Sequence, residues 1–334
     1  LHARGYKRNV SLSRLIDHHA IARRFLDLSA REQQPDVILC SLPTLELSLA
    51  ATDYGRRRGV PVILDIRDLW PDALADLLPP GTRGFARFLL FPMYSQARKA
   101  CTRAAALVGT APGFIEWGLR HARRSPLPMD RCFPLGFTEK PVGQKELASA
   151  KNYWRQLGLK RDDYIVCFVG TIGRQFDLET VIDAASLLKE GGHGIKFVLC
   201  GTGDRLKHFQ KLASGCDNIV FPGWVNMAEI RSLLEMSSIG LAPYKNTSNF
   251  MENLPNKPIE YLSAGLPLVS CLNGYLKKML KENECGETYP EGNAPVLADR
   301  LVRIEQNPEL AQKMSVNAYR LFREKFVMEN IYGD

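Results

Sequence analysis

Short apolar runs alternate with helix-like stretches along almost the whole chain, and that alternation admits few folds. Asp36–Cys40, Val60–Asp65 and Ala105–Gly109 read as strands. Leu45–Arg58 reads as a helix stopped by Gly59, and a Pro112-Gly113 turn leads into a further helical stretch. Strands this short and uniformly apolar suit burial on both faces, in a parallel sheet flanked by helices. The pattern then restarts. A polar stretch from Glu139 to Ala150 and a helical one over 152–157 lead to Tyr164–Val169. Strands follow at Ile195–Cys200, Ile219–Phe221, Ile239–Ala242 and Pro267–Ser270. The expected fold is α/β, with two Rossmann-like doubly wound domains. The length of 334 residues agrees, because one core rarely organises so long a chain. The expected division is 1–140, 141–315, and a C-terminal helical segment over 316–334. Only three strands precede the boundary, so the first domain reads as lacking its N-terminal strands.

The net charge of +8 is concentrated in the first third, as in Arg23-Arg24 and Arg56-Arg57-Arg58. That excess suits an anionic membrane surface, a phosphorylated substrate or a nucleic acid; a solvated basic face is the alternative. No nucleic-acid-binding signature accompanies it, so no nucleic acid is expected as a partner. The eight cysteines are scattered, with no Cys-x-x-Cys pair, and several lie in apolar runs, such as Cys167. This fits a reducing compartment and no zinc or disulfide framework. The histidines show no metal spacing and there is no Asp-x-Asp pair, so neither metal nor cofactor is expected. No apolar stretch is long enough to span a bilayer, and no signal peptide is read. The expected location is cytoplasmic, or peripheral at the inner face of the cytoplasmic membrane.

Two glutamates, Glu252 and Glu260, stand eight positions apart around Pro255 and Pro258. Asn256 suits a helix cap, with a helix from about Lys257 to Ala264 that stops at Gly265-Leu266-Pro267. The start of such a helix offers unpaired N–H groups and the positive end of its dipole, which suit a diphosphate. Glu260, one turn in, could accept hydrogen bonds from ribose hydroxyls, and Glu252 could reach a sugar. The plainer alternative is a surface helix whose acids favour the dipole. Three further loops follow strands: Gly170-Thr171 with Arg174, Gly201 to Gly203, and Gly223-Trp224-Val225. Each alone is explained by turn chemistry. Together they follow strands of one parallel sheet, whose carboxyl edge is where ligands bind.

These segments, with Ala242-Pro243-Tyr244 and Glu252–Pro267, resemble the donor-binding lobe of the retaining glycosyltransferases of family 4. The resemblance implies the GT-B fold, two domains facing across a cleft. It also implies a nucleotide diphosphate sugar as donor and transfer with retention. It puts Glu252 on the donor sugar, Glu260 on the ribose and Val225 at the base. Gly170, Thr171, Gly201, Gly203, Trp224, Leu254, Pro255 and Asn256 complete the implied donor site. Many family members grip the diphosphate with an Arg and a Lys in the loop after the domain's first strand. Here that loop carries Arg174, which would act with Lys257. The run Asp65-Ile-Arg-Asp-Leu-Trp-Pro71, with Tyr6–Asn9 and Pro255–Tyr261, resembles bacterial transferases that build O-antigen, capsule or exopolysaccharide. A glycan or polyprenol-linked acceptor is thereby implied. Asp68 is the candidate for contact with the acceptor hydroxyl, a helix or turn cap being the alternative. Two other functions stay open: a nucleotide-sugar 2-epimerase of the same architecture, and a truncated chain that binds nucleotide without turnover.

Two helical segments complete the reading. Met314–Asn330 carries apolar residues on a helical period, and the resemblance has this C-terminal stretch crossing back to the first domain. Residues 83–103 interleave Phe85, Phe88, Leu89 and Phe91 with Arg83, Arg87, Arg98, Lys99 and Arg103, without any acid. Such a segment can lie on an anionic bilayer. In the alternative, Phe88, Leu89 and Phe91 fill the first domain's core and Pro92 breaks or kinks the helix.

Overall fold

The computed structural model describes residues 5, 11–76, 78, 81–138 and 141–333, the side chains of Leu12 and Arg83 excepted. The Tyr6–Asn9 segment and Glu139 lie outside the described residues. The chain divides into two compact units. The first is Leu1–Pro134 with Thr247–Asn253, and the second is Leu135–Asn246 with Leu254–Asp334.

The first unit holds strands β1 (Ile38–Leu42), β2 (Val62–Ile66), β3 (Ala106–Gly109) and β4 (Arg131–Cys132). They form one parallel sheet in the order β1-β2-β3-β4. Its helices are α1 (Leu12–Ser29), α2 (Leu45–Arg58), α3 (Asp72–Ala75), α4 (Arg83–Leu89), α5 (Phe91–Arg103) and α6 (Pro112–Ala122), joined by α11 (Ser248–Met251). Gly59 ends α2 at φ 72°, a left-handed conformation that favours glycine. Leu42, Leu64, Ile66, Leu107 and Phe114 pack the core. Strand β4 has two residues and therefore no periodicity to read. It is held through the neighbouring Asp130, which accepts from the Leu107 N–H at 2.7 Å and from Arg124 at 2.5 Å.

The core-filling alternative for α4 and α5 is overturned. Phe88, Leu89 and Phe91 are 76%, 59% and 60% exposed. Pro92 does not kink a helix either; it stands in the first turn of α5, where its missing N–H breaks no hydrogen bond. Arg103 is committed within the unit, 2.7 Å from Asp53.

The second unit contains α7 (Gln144–Gln156), β5 (Tyr164–Val169), α8 (Leu178–Glu190), β6 (Ile195–Cys200), α9 (Leu206–Leu212), β7 (Ile219–Gly223), α10 (Met227–Met236) and β8 (Ile239–Ala242). After the excursion of 247–253 come α12 (Asn256–Ser263), β9 (Leu268–Ser270), α13 (Tyr275–Asn283), β10 (Gly286–Thr288), α14 (Ala294–Glu305), α15 (Pro308–Lys325) and α16 (Met328–Tyr332). The six strands are parallel, in the order β10-β9-β8-β5-β6-β7. The connection direction reverses between β5 and β8, so the crevice beyond their carboxyl ends is the expected ligand position. Both units are parallel α/β sheets, as the sequence predicts; among the described residues the reversal of a doubly wound sheet is seen in the second, while the first runs β1-β2-β3-β4 in one direction.

The terminal helix differs from expectation. It starts at Pro308 and breaks at Phe326–Val327 before α16. The break has a partner: the Phe137 N–H donates to the Phe326 carbonyl at 2.9 Å, and Phe137 pairs with Val327 in a parallel bridge. Extended backbone is needed there, so a continuous helix is excluded. Among the described residues no helix is long and apolar enough to cross a membrane.

Candidate functional site

The loops after β5, β6 and β7 are stitched together by their backbones. Gly170 N–H donates to the Cys200 carbonyl at 3.0 Å, Ile172 N–H to Thr202 at 2.9 Å, and Gly201 N–H to Gly223 at 2.7 Å. The glycines are required by this approach. A Cβ on Gly201, whose φ is +135°, would strike the Gly170 carbonyl, and one on Gly203 would strike that of Ile172.

Helix α12 faces this edge. Its cap is Pro255, with extended backbone and no side-chain cap bond, and Asn256 is the first helical residue rather than the cap. Proline offers no side-chain oxygen, so no cap side chain occupies the N–H groups that open the helix. The Tyr261 hydroxyl accepts from Val169 N–H at 2.9 Å and anchors α12 to the end of β5. Lys257 reaches over Gly170: a Cβ there would collide with its Cε and Nζ. Its ammonium also lies 6.0 Å from the Phe168 ring and 5.2 Å from that of Phe176. Burial pushes the Lys257 pKa below the ordinary lysine value, and Glu260 partly offsets it. Burial likewise raises Glu260, one turn later, with Lys257 pulling the other way. Glu260 lines a cavity of about 1290 Å³ together with Trp224, Val225, Phe137 and Tyr319. Trp224 is 71% exposed, while Val225, Leu254 and Pro255 are buried. Thr171 and Arg174 are exposed.

The structure thus brings Gly170, Lys257, Glu260, Gly201 and Gly203 to one sheet edge. It does not bring Glu252 and Asp68 there within the same unit: both belong to the first unit. Segment 247–253 is pinned inside that unit by side-chain hydrogen bonds. Ser248 N–H donates to Asp76 at 2.7 Å, and Thr110 Oγ1 donates to Asn253 Oδ1 at 3.3 Å. Asn249 makes two bonds at once, accepting from Leu69 N–H and donating to Asp68 Oδ1, each at 3.0 Å. Asp68 is therefore the partner of Asn249, not a helix cap. Burial raises its pKa, and Asn249 and Arg14 act against that rise. Glu252 packs against Gly113 in the first turn of α6, where a Cβ would collide with the Glu252 carboxylate.

A second cavity, of about 570 Å³, lies in the first unit beside Glu252. The Asp72 carboxylate, one of the two that line it, accepts from the Tyr94 hydroxyl and from Trp117 Nε1, each at 2.7 Å. Burial and the Asp72 carboxylate push the Tyr94 pKa up to about 12. The His121 ring lies 4.0 Å from that of Trp117 and stacks on Tyr94 at 6.2 Å. The sequence reading missed this group. Trp117 and His121, at i and i+4 on α6, were its one local signal. Among the described residues no group of three or more His, Cys, Asp or Glu could hold a metal ion.

Comparison with known proteins agrees with this architecture. Residues 150–321, more than half of the chain, match the family model described as glycosyl transferases group 1. A stretch of 212 residues is 26% identical to an alpha-D-kanosaminyltransferase of Streptomyces kanamyceticus, covering 61% of this chain and 53% of that protein. A stretch of 133 residues is 29% identical to the amylovoran biosynthesis glycosyltransferase AmsK of Erwinia amylovora, covering 39% of this chain and 33% of that one. The chain thus spans about half the length of the first relative and a third of the second. Among solved structures, sucrose-phosphate synthase from Thermosynechococcus elongatus superposes with a TM-score of 0.73 at 17% identity, covering 98% of this chain and 79% of that one. HepE of Anabaena, in complex with UDP, superposes with a TM-score of 0.68 at 12% identity, covering 94% and 80%. At these identities the superpositions speak to the fold, which is the two-domain GT-B architecture. The sequence resemblance is borne out: the chain belongs to the glycosyl transferases group 1 family.

Proposed function

We propose that this chain transfers a sugar from a nucleotide diphosphate sugar to a glycan or polyprenol-linked acceptor, with retention, in bacterial surface polysaccharide synthesis. The observation that carries the proposal is the Lys257 ammonium seated over Gly170, with Glu260 one turn further along α12. A cation that the absent side chain of Gly170 lets lie across the loop, beside uncapped helix N–H groups, forms a diphosphate cradle. The likeness to HepE, solved with UDP, and to AmsK, named for amylovoran biosynthesis, supports donor and pathway class.

In this reading Glu260 accepts from the ribose hydroxyls, and Trp224 and Val225 face the base. Thr171, Leu254, Pro255 and Asn256 contribute through the loop backbones. The bond between the anomeric carbon and the diphosphate breaks, and the diphosphate leaves with the electron pair. Lys257, Arg174 and the start of α12 stabilise the charge that develops on it. The acceptor oxygen bonds the same face of the sugar and gives its proton to Asp68, whose raised pKa makes it a better base than an exposed aspartate. Glu252 binds the donor sugar. The exposed Phe85, Phe88, Leu89 and Phe91, flanked by arginines, rest on the anionic membrane where a polyprenol-linked acceptor resides.

The test is a thermal-shift screen of nucleotide diphosphate sugars, followed by mass spectrometry and anomeric NMR of the product formed with lipid-linked acceptors. A stabilising donor and an acceptor product that keeps the donor's anomeric configuration are expected. Release of an epimerised nucleotide sugar without acceptor would instead assign a 2-epimerase. Binding without any product would leave a nucleotide-binding chain.

A further inference from the structure

The cavity beside Glu252 has a charge imbalance that the donor chemistry does not use. Four arginines line it, Arg87, Arg98, Arg120 and Arg123, against the carboxylates of Asp72 and Glu252. Asp72 is already engaged by Tyr94 and Trp117, with Arg87 at 3.8 Å. Arg120 stands 4.0 Å from Glu116 in an exposed pair, which holds it weakly. Among the described residues no carboxylate lies within ion-pair distance of Arg98 or Arg123. Guanidinium groups in a concave site match the oxygens of phosphate bidentately.

The other walls indicate what carries the phosphate. The Trp117 carbonyl can only accept, so His121 Nδ1, 3.0 Å away, is the donor. Burial lowers the His121 pKa, which keeps the ring neutral and leaves Nε2 as an acceptor for a hydroxyl. Tyr94 and Phe91 supply apolar surface. Phe91 also belongs to the exposed apolar run with Phe85, Phe88 and Leu89, so the cavity wall continues into a lipid-compatible face.

We propose that this cavity is the acceptor's phosphate site, in which Arg98 and Arg123 bind the diphosphate of a prenyl-linked sugar. The inference rests on the transferase reading above and names its acceptor class. A free sugar phosphate shares the same anion chemistry, and the test separates the two.

Farnesyl diphosphate and inorganic pyrophosphate are titrated calorimetrically into the full chain saturated with UDP, which blocks the donor site. Binding of UDP itself is measured first. Farnesyl diphosphate should bind at least tenfold more tightly than pyrophosphate. R98Q/R123Q should weaken it at least tenfold while leaving UDP affinity unchanged, and R98K/R123K should restore part of the loss. Equal binding of the two diphosphates, lost in the same variant, would assign the cavity to a free phosphorylated acceptor and overturn the prenyl assignment. Binding unaltered in R98Q/R123Q, or none while UDP binds, would overturn the phosphate site. Failure of every tested nucleotide diphosphate to bind would instead count against the donor reading. If the double variant does not fold, R98Q alone should show about a threefold loss, and none would contradict the proposal.

Discussion

Lys257 occupies the space that a side chain on Gly170 would need. Gly170 does not adopt a left-handed φ, so an alanine there strains no backbone and acts through the displaced lysine. Gly170→Ala should therefore weaken nucleotide diphosphate binding about tenfold, or ~1.4 kcal/mol. In a Lys257→Ala background the same substitution should add little, because the two effects share one cause. Calorimetric titration of the four proteins checks this. Equal losses in both backgrounds would mean that Gly170 acts independently of Lys257.

Glu260 is held in a position that does not favour its charge. Its folded pKa lies above the ordinary carboxylate value because burial disfavours the ionised form. The associated stability is present below the unfolded pKa and is lost as pH rises through the folded one, so at neutral pH the ionised residue costs stability. Glu260→Gln should raise the melting temperature of the ligand-free protein at pH 7 and lose that advantage at pH 4. It should simultaneously weaken nucleotide binding. A lower melting temperature at pH 7 would show that Glu260 serves structure rather than ligand.

Asn249 fastens the loop carrying Asp68 and Leu69 through two hydrogen bonds. Asn249→Ala removes both, with an expected loss of about 1–3 kcal/mol in chemical denaturation. It also removes a group that lowers the Asp68 pKa, so Asp68 should titrate higher still. Turnover should then fall at mildly acidic pH, where more Asp68 is protonated. A pH–rate profile identical to that of the wild type would separate Asp68 from the chemistry.

Much of the second unit was legible because β5, β6 and β8 are buried on both faces and lack polar residues except Lys196. Its candidate donor residues were legible because the helix signals around Pro255 and Gly265 are local. What could not be read was long-range. Glu252 and Glu260 look like one motif by spacing, yet the chain changes unit between them. That change is held by Asn249, Asn253 and Ser248 contacting residues 140 or more positions earlier, and no periodicity encodes such bonds. The Asp72–Tyr94–Trp117 group is dispersed for the same reason.

The exposed apolar residues of α4 and α5 should act at a lipid surface. Co-sedimentation with phosphatidylglycerol vesicles should exceed that with phosphatidylcholine vesicles and fall as salt is raised, since the cations are screened. F85S/F88S should reduce recovery on both lipids, because these side chains are 66% and 76% exposed and support no core. Recovery independent of lipid charge, of salt and of these residues would remove the membrane role.

Helix α12 and the Gly170 loop should together form a nucleotide diphosphate site. Its most direct measurement is calorimetric titration of UDP, GDP, ADP and dTDP into the wild type and Glu260→Ala. At least one nucleotide should bind the wild type, and the variant should bind it at least tenfold more weakly, consistent with loss of a charged hydrogen-bond acceptor worth about 1.5–3 kcal/mol. Failure of all four to bind the folded wild type, or equal affinity in the variant, would contradict it.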